Sequence, residues 1–284
     1  MVVGKSRIVG EVVMTYPVST LWRFLPPDLS SRIDDCFSAA LDKIDSKDPI
    51  YVFFRADDVA VPGANFVRLM DLFTHYRVPL CLAVVPAWLT RARWRNLKSI
   101  GQKAPSLWCW HQHGWRHVNH EPEGKKQEFG PSRPSWKIRN DLIRGKNHLQ
   151  TLLEESFSPV FTPPWNRCDP KTLGMLKELN FQAVSRSKKS VPPSPDGLPD
   201  FAVGVDLHTR KEGHPLLGWE CLFSELGSAL SQDLCGIMIH HRRMNEAAFV
   251  FLEIFIRALL KQRHVSLVHF MDLHSAYKKR TPVE

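Results

Sequence analysis

Short apolar runs alternate with stretches of helical apolar spacing along most of this chain, the pattern of successive parallel βα units. The runs predict strands at Ile50–Phe54, Leu80–Val85, Leu107–Trp110, Pro159–Thr162, Gln182–Ser185, Phe201–Asp206, Gly236–His240 and Val265–Phe270. Apolar residues at helical spacing predict helices over Ala64–Tyr76, Trp136–Ser156, Pro170–Leu179 and Asn245–Gln262, with a further helix at Ser31–Ile44 ahead of the first strand. Asp169-Pro170 is an N-cap followed by proline at the first helical position, which marks one start. Seven or eight such units close into a barrel or a distorted one; an open doubly wound sheet is the alternative. Residues 121–135 and 186–199, rich in Gly, Pro and charge, read as loops over one face of a single domain. That domain spans residues 1–284, with an N-terminal extension to about residue 48 and the barrel over roughly 49–275.

At 284 residues the chain can bury a full core. Its 38 Lys+Arg against 29 Asp+Glu leave a net charge of +9, which favours anionic ligands or an acidic membrane surface. The basic residues are scattered in clusters such as 91–95 and 278–280, without any nucleic-acid-binding motif, so no nucleic-acid partner is expected. The six cysteines form no CxxC pair, and Cys81, Cys109 and Cys235 sit inside apolar runs as small core residues. That usage suits a reducing compartment. With no signal-like N-terminus and no run near the ~18 apolar residues of a membrane span, a cytoplasmic protein is expected, with at most peripheral contact with an acidic membrane.

The candidate chemistry lies just past the strand ends. Arg55-Ala56-Asp57-Asp58 comes after the first, His111-Gln112-His113-Gly114-Trp115-Arg116-His117 after the third, and Thr162-Pro163-Pro164-Trp165-Asn166-Arg167 after the fourth. Asp206 ends another run, and His240-His241 ends the next. In a βα barrel, strand C-termini converge on one mouth that supplies the functional groups. Adjacent aspartates after a strand act as turn or cap residues, or divide labour around a cation, one ligating and one staying free as a base. His113 and His117 share a face if helical, or turn inward together across Gly114 if they lie in a loop. Two neutral imidazoles and a carboxylate make a three-ligand set with positions left open. His111 and His120 compete with them, or orient a ligand from behind; in an extended strand His111 points to the same side as His113.

Taken together, these motifs resemble the polysaccharide deacetylase (NodB-like) family over roughly Tyr51–Phe270. The resemblance implies a distorted (β/α)7-8 barrel and a divalent metal, commonly zinc, used to hydrolyse N-acetyl and sometimes O-acetyl groups on sugars. By position it implies Asp57 as catalytic base, Asp58, His113 and His117 as metal ligands, Trp165 with Pro164 as the oxyanion and substrate-binding turn, His240 as general acid and Asp206 as its tuning carboxylate. Two positions depart from the pattern. Thr162 stands where the family has an arginine that pairs with the base, leaving Arg55 and Arg167 as candidates for that charge. His241 stands where the family often has aspartate, so His240 and His241 are alternatives for the acid, the other lying behind it. The expected substrate is an N-acylated sugar, free or carried on phosphate or lipid, in glycan or surface-polysaccharide biosynthesis. Deformylation or ester hydrolysis on the same fold is an alternative. A non-catalytic carbohydrate-binding protein is another, with tryptophans such as Trp88, Trp94, Trp108, Trp110, Trp115, Trp136 and Trp219 as stacking platforms. The loop from His113 to Arg133, longer than expected, is read either as a pocket wall or as a solvated surface loop.

Overall fold

The computed structural model describes residues 17–41 and 49–280. Eight strands form one curled sheet: β1 (Ile50–Val59), β2 (Leu80–Val84), β3 (Trp108–His113), β4 (Phe157–Thr162), β5 (Ala183–Val184), β6 (Val205–Asp206), β7 (Leu234–Ile239) and β8 (Val265–Leu267). All the pairings are parallel, in the order β5-β4-β3-β2-β1-β7-β6, and β8 pairs with the first residues of β1. Bridges Val184↔Asp200 and Ser187↔Val203 continue the curl between β5 and β6. This is the distorted barrel the alternation of elements predicts.

The strands are apolar on both faces because both faces are covered. Phe53, Cys81, Cys109, Val160, Phe201 and Met238 point into the barrel, and Phe270 plugs its base. Val52, Phe54, Leu82 and Ile237 point out to the helices. One step further along the strands, the inward positions become polar: Arg55 and Asp57 follow Phe53 at spacings of two, and His111 and His113 follow Cys109. The period of the strand therefore stacks a polar layer above an apolar one.

Helices α1 (Leu29–Leu41), α2 (Ala64–Tyr76), α3 (Arg91–Gly101), α4 (Ser135–Leu153), α5 (Pro170–Glu178), α6 (Pro215–Leu230), α7 (Glu246–Leu260) and α8 (Phe270–Arg280) surround the sheet. Asp169 caps α5 by accepting from the Thr172 N–H at 2.7 Å, and Asn245 caps α7 in the same way from Ala248 at 3.1 Å. The N-terminal segment joins the barrel's outer core, with Trp22 edge-on to Trp219 and Phe37 stacked on Phe255.

Two expectations need correction. The last strand ends at Leu267 instead of Phe270, because Phe270 opens α8 and turns its ring inward against Phe53 and His111. The fourth helix stops at Leu153, where Glu154 takes a left-handed backbone (φ 54°) before a short 3-10 turn. Helices α3, α6 and α8 add to the predicted set: α3 buries Trp94, Leu97 and Gly101 among arginines, and the buried face of α6 includes Gly218. Ile44, the expected end of the first helix, and most of the N-terminal extension lie outside the described residues. Among the described residues no helix is long and apolar enough to cross a membrane. All six cysteines are free, and Cys81, Cys109 and Cys235 are buried as expected.

Candidate active site

A cavity of about 560 Å³ opens at the C-terminal ends of the strands. Asp57, Asp58, His113, His117, Trp165, Asp206 and His240 all line it. Side chains from β1, β3 and β7 and from the turns after them thus meet at one mouth, as the strand-end reading expects.

Asp58, His113 and His117 offer ligand atoms within 4.8 Å of one another. Asp58 Oδ1 lies 3.4 Å from His113 Nε2 and 3.3 Å from His117 Nε2, and this buried oxygen has no hydrogen-bond partner. A buried carboxylate oxygen left unpaired between two imidazole nitrogens suits a cation, so the residues fit a divalent metal. His113 Nδ1 lies 2.9 Å from the Thr162 carbonyl. A carbonyl only accepts, so Nδ1 carries the proton and Nε2 presents its lone pair to the cluster. Burial and the neighbouring His113 push the His117 pKa down to about 4, which keeps that imidazole neutral and able to ligate. Its ring packs against Trp165 at 4.5 Å.

The backbone beneath these groups is unusual. Asp58 (φ 62°), His117 (φ 59°), Trp165 (φ 56°) and Asn166 (φ 60°) are all left-handed, and all four line the cavity. Such conformations cost non-glycine residues of order 1–3 kcal/mol each and persist where the surroundings over-determine them. The determinant at His117 is Glu128, a buried carboxylate that accepts from the N–H groups of Trp115 (3.2 Å), Arg116 (2.6 Å) and His117 (3.2 Å). Burial pushes its pKa up against those three donors. Gly114 (φ 59°) completes the turn; a Cβ there would meet Glu128 Oε2 and, at 2.6 Å, the Pro164 ring. The loop after His117 therefore serves as a prop under the turn that carries His117 and is absent from the cavity wall, with Phe129 buried in the core.

Arg55 answers the missing arginine. Its guanidinium, fully buried, donates from Nε to Asp57 Oδ1 and from Nη2 to Asp57 Oδ2, both at 2.8 Å. It also donates to the Ser185 carbonyl and hydroxyl and to Asn166 Oδ1. Burial raises the Asp57 pKa, but Arg55, with His113 and His240, outweighs it and holds the carboxyl below its ordinary value. Thr162 takes another part: its hydroxyl lies 2.9 Å from His111 Nε2 while its carbonyl accepts from His113. His111 thus stands behind His113 through Thr162. Arg167 lines the cavity without touching Asp57.

The two histidines after β7 part company. His240 lines the cavity, and its backbone N–H donates to Nδ1 of the buried His208 at 3.2 Å. His241 is 2 % exposed and packs edge-on to Phe66, outside the cavity, where burial drops its pKa to about 3. Asp206 accepts from the N–H groups of His208 and Thr209, both at 2.9 Å, and from the Thr209 hydroxyl. Burial raises its pKa, while the charge of His240 and those hydrogen bonds pull it below the ordinary value. Its influence on His240 is through space, with no direct hydrogen bond.

Three expectations fail on placement. Pro164 is buried against the Gly114 turn and does not face the cavity. His120 is exposed and away from the cluster. Of the tryptophans, only Trp165 lines the cavity; Trp94, Trp108, Trp110 and Trp219 are core residues. Glu128 and His208 gave no signal in sequence, since a lone glutamate in a polar loop and a histidine after a strand are each common.

No family model matches the chain, and no curated protein matches it. Solved structures do. A protein assigned as a polysaccharide deacetylase from Mycobacterium smegmatis shares the fold at a TM-score of 0.64 and 14% identity, over 84% of this chain and 94% of that one. The allantoinase PuuE shares it at 0.59 and 13%, over 95% and 99%. A CE4-family pseudoenzyme from Bacillus anthracis shares it at 0.52 and 12%, over 81% and 66%. The chain has the polysaccharide deacetylase fold, a curled parallel barrel of the NodB and CE4 type. The breadth of those three neighbours shows that the fold alone does not choose a substrate.

Proposed function

We propose that the protein is a metal-dependent hydrolase that removes an N-acyl group, N-acetyl first among them, from a sugar during glycan or surface-polysaccharide synthesis. The observation that carries this reading is the Asp58–His113–His117 cluster sharing one cavity with an Arg55-held Asp57. Asp58, His113 and His117 hold the cation, and their two imidazoles and one carboxylate suit zinc. When bound there, it supplies Lewis acidity that polarises the acyl carbonyl and acidifies water.

The chain's own groups do the rest. Asp57, kept ionised by Arg55, takes the proton of the attacking water. The backbone N–H of Trp165, which has no partner among the described residues, donates to the oxygen that gains negative charge. His240 delivers a proton to the departing amine, and the Asp206 carboxylate lines the same cavity. Arg55 supplies beside Asp57 the positive charge that Thr162 lacks, which supports this reading over a non-catalytic binding protein. The free cysteines support a cytoplasmic setting.

The test is elemental analysis of the purified protein, followed by acyl-release assays on N-acetyl, N-formyl and O-acetyl sugars, free or linked to phosphate or lipid. The reading expects one divalent metal per chain and acetate release from an N-acetyl sugar. Metal content unchanged in Asp58→Ala and His117→Ala, or a metal-loaded protein inert on every donor, would overturn it.

A further inference from the structure

The cavity also carries charge that hydrolysis leaves unused. Arg167, Lys188, Lys211 and Arg243 line the same space as Asp57, Asp58 and His240. Three of the four acidic groups there are engaged within the protein, and the fourth, Asp58, faces the histidines of the cation cluster. Asp57 is held by Arg55, Asp206 has the Thr209 and His208 donors, and Glu225 accepts from Arg210 at 2.7 Å. The cations are not. Among the described residues, none of the four has a carboxylate within ion-pair distance. Among the described residues, Arg167 and Arg243 reach only the carbonyls of Lys126 and Pro17, and neither lysine side chain has a hydrogen-bond partner.

Both lysines project from braced backbone. The Lys188 N–H donates to the Val203 carbonyl at 2.8 Å, tying its segment to the sheet. Lys211 follows Arg210, whose guanidinium is clamped by Glu212 (2.5 Å) and Glu225 (2.7 Å) and donates to the Asp206 carbonyl at 3.0 Å. Four cations without carboxylate partners, two of them on braced backbone, set up a positive field on their side of the cavity that favours an anion. The volume lies within the ~300–1,000 Å³ of small-ligand pockets.

We propose that Lys188, Lys211 and Arg243 form an anion subsite, so that the substrate is an acylated sugar bearing a phosphoryl or carboxylate group. The acyl end of this assignment rests on the hydrolase reading; the subsite itself rests on the cation wall alone.

The test begins with metal-stripped protein, because a bound metal would itself attract anions. Calorimetric titration compares N-acetylglucosamine, its 1-phosphate and the corresponding N-acetylglucosaminuronate. At least one anionic sugar should bind at least about tenfold more tightly than the neutral one, and the Lys188→Ala/Lys211→Ala variant should erase the gap. The two anionic arms identify the group. Should the double variant fail to fold, Lys211→Glu alone should lower anionic-sugar affinity more than neutral-sugar affinity. Equal binding of all three sugars to the unmodified protein, or a gap that survives in the folded variants, would overturn the subsite. With metal restored, the anionic over neutral preference in kcat/KM should fall by a similar factor in the same variants. Acyl release without any charge preference would remove the subsite and keep the hydrolase reading. A charge preference in metal-free binding, with no acyl release from any sugar, would do the reverse.

Discussion

The ends of β1 and β7 each carry two like residues in succession, and the fold treats the two pairs differently. At β1 both aspartates reach the cavity; at β7 one histidine does and its neighbour is lost to the core. The backbone explains the difference. Successive side chains of an extended strand point to opposite faces. Asp58 escapes that alternation through its left-handed φ of 62°, which brings its carboxylate to the same side as Asp57. His240 keeps an extended backbone (φ −117°, ψ 90°), so His241 turns away to Phe66. A doublet at a strand end thus supplies two site residues only where the chain leaves the extended conformation between them.

Substitutions can break each half of that contrast. Asp57→Asn should have the largest effect, with turnover falling by about 10²–10⁴-fold while metal content stays unchanged. Initial rates beside elemental analysis check it, and an active Asp57→Asn would remove Asp57 as the base. His240→Asn should lose about 10²-fold or more in turnover, whereas His241→Asn should stay close to the parent; equal losses would erase the distinction at β7. Arg55→Ala leaves a buried carboxylate without its partner and should lower stability by about 3–5 kcal/mol in urea unfolding. Glu128→Gln should weaken metal binding by about 10–100-fold in a chelator competition, because it frees the turn that sets His117.

The smallest effect expected at pH 7 is that of His241→Leu. Nδ1 of His241 has no partner, so an apolar side chain of similar bulk should change stability by less than about 1 kcal/mol. Its pH dependence is more telling. The folded pKa near 3 lies below the 6.5 of a free histidine, so between those values the unfolded chain binds the extra proton. Stability contributed by this residue is intact above about pH 6.5 and is lost as pH falls towards 3. Between pH 7 and pH 5 the unmodified protein should therefore lose on the order of 2 kcal/mol more than His241→Leu. Urea midpoints at the two pH values measure it.

The strand positions and the polar strand ends were legible because period-two alternation and C-terminal convergence act locally and repeat. Which side chain holds which was not. Arg55 pairs with Asp57 because they sit two apart on one face of β1, a relation visible in sequence yet indistinguishable there from a solvated Arg–Asp pair. The prop under His117 was hidden for a different reason. Glu128 acts eleven residues away through backbone N–H groups, and no residue-type pattern marks an acceptor of that kind. Helices α3 and α6 escaped for opposite reasons: α3 sets buried Trp94 and Leu97 among arginines, whereas α6 is apolar around much of its circumference.

One pairing bears on how the molecule is made. Ile50, Tyr51 and Val52 open the central strand, and their partners in β8 are Val265, Ser266 and Leu267. During synthesis the start of β1 waits for more than two hundred residues before that ladder can form, which is a contact of very high sequence separation and slow closure. Until then its backbone donors and acceptors form an exposed edge of the kind that recruits other chains. A nascent chain stalled before residue 265 should therefore aggregate in preference to folding, with β1 as its point of self-association.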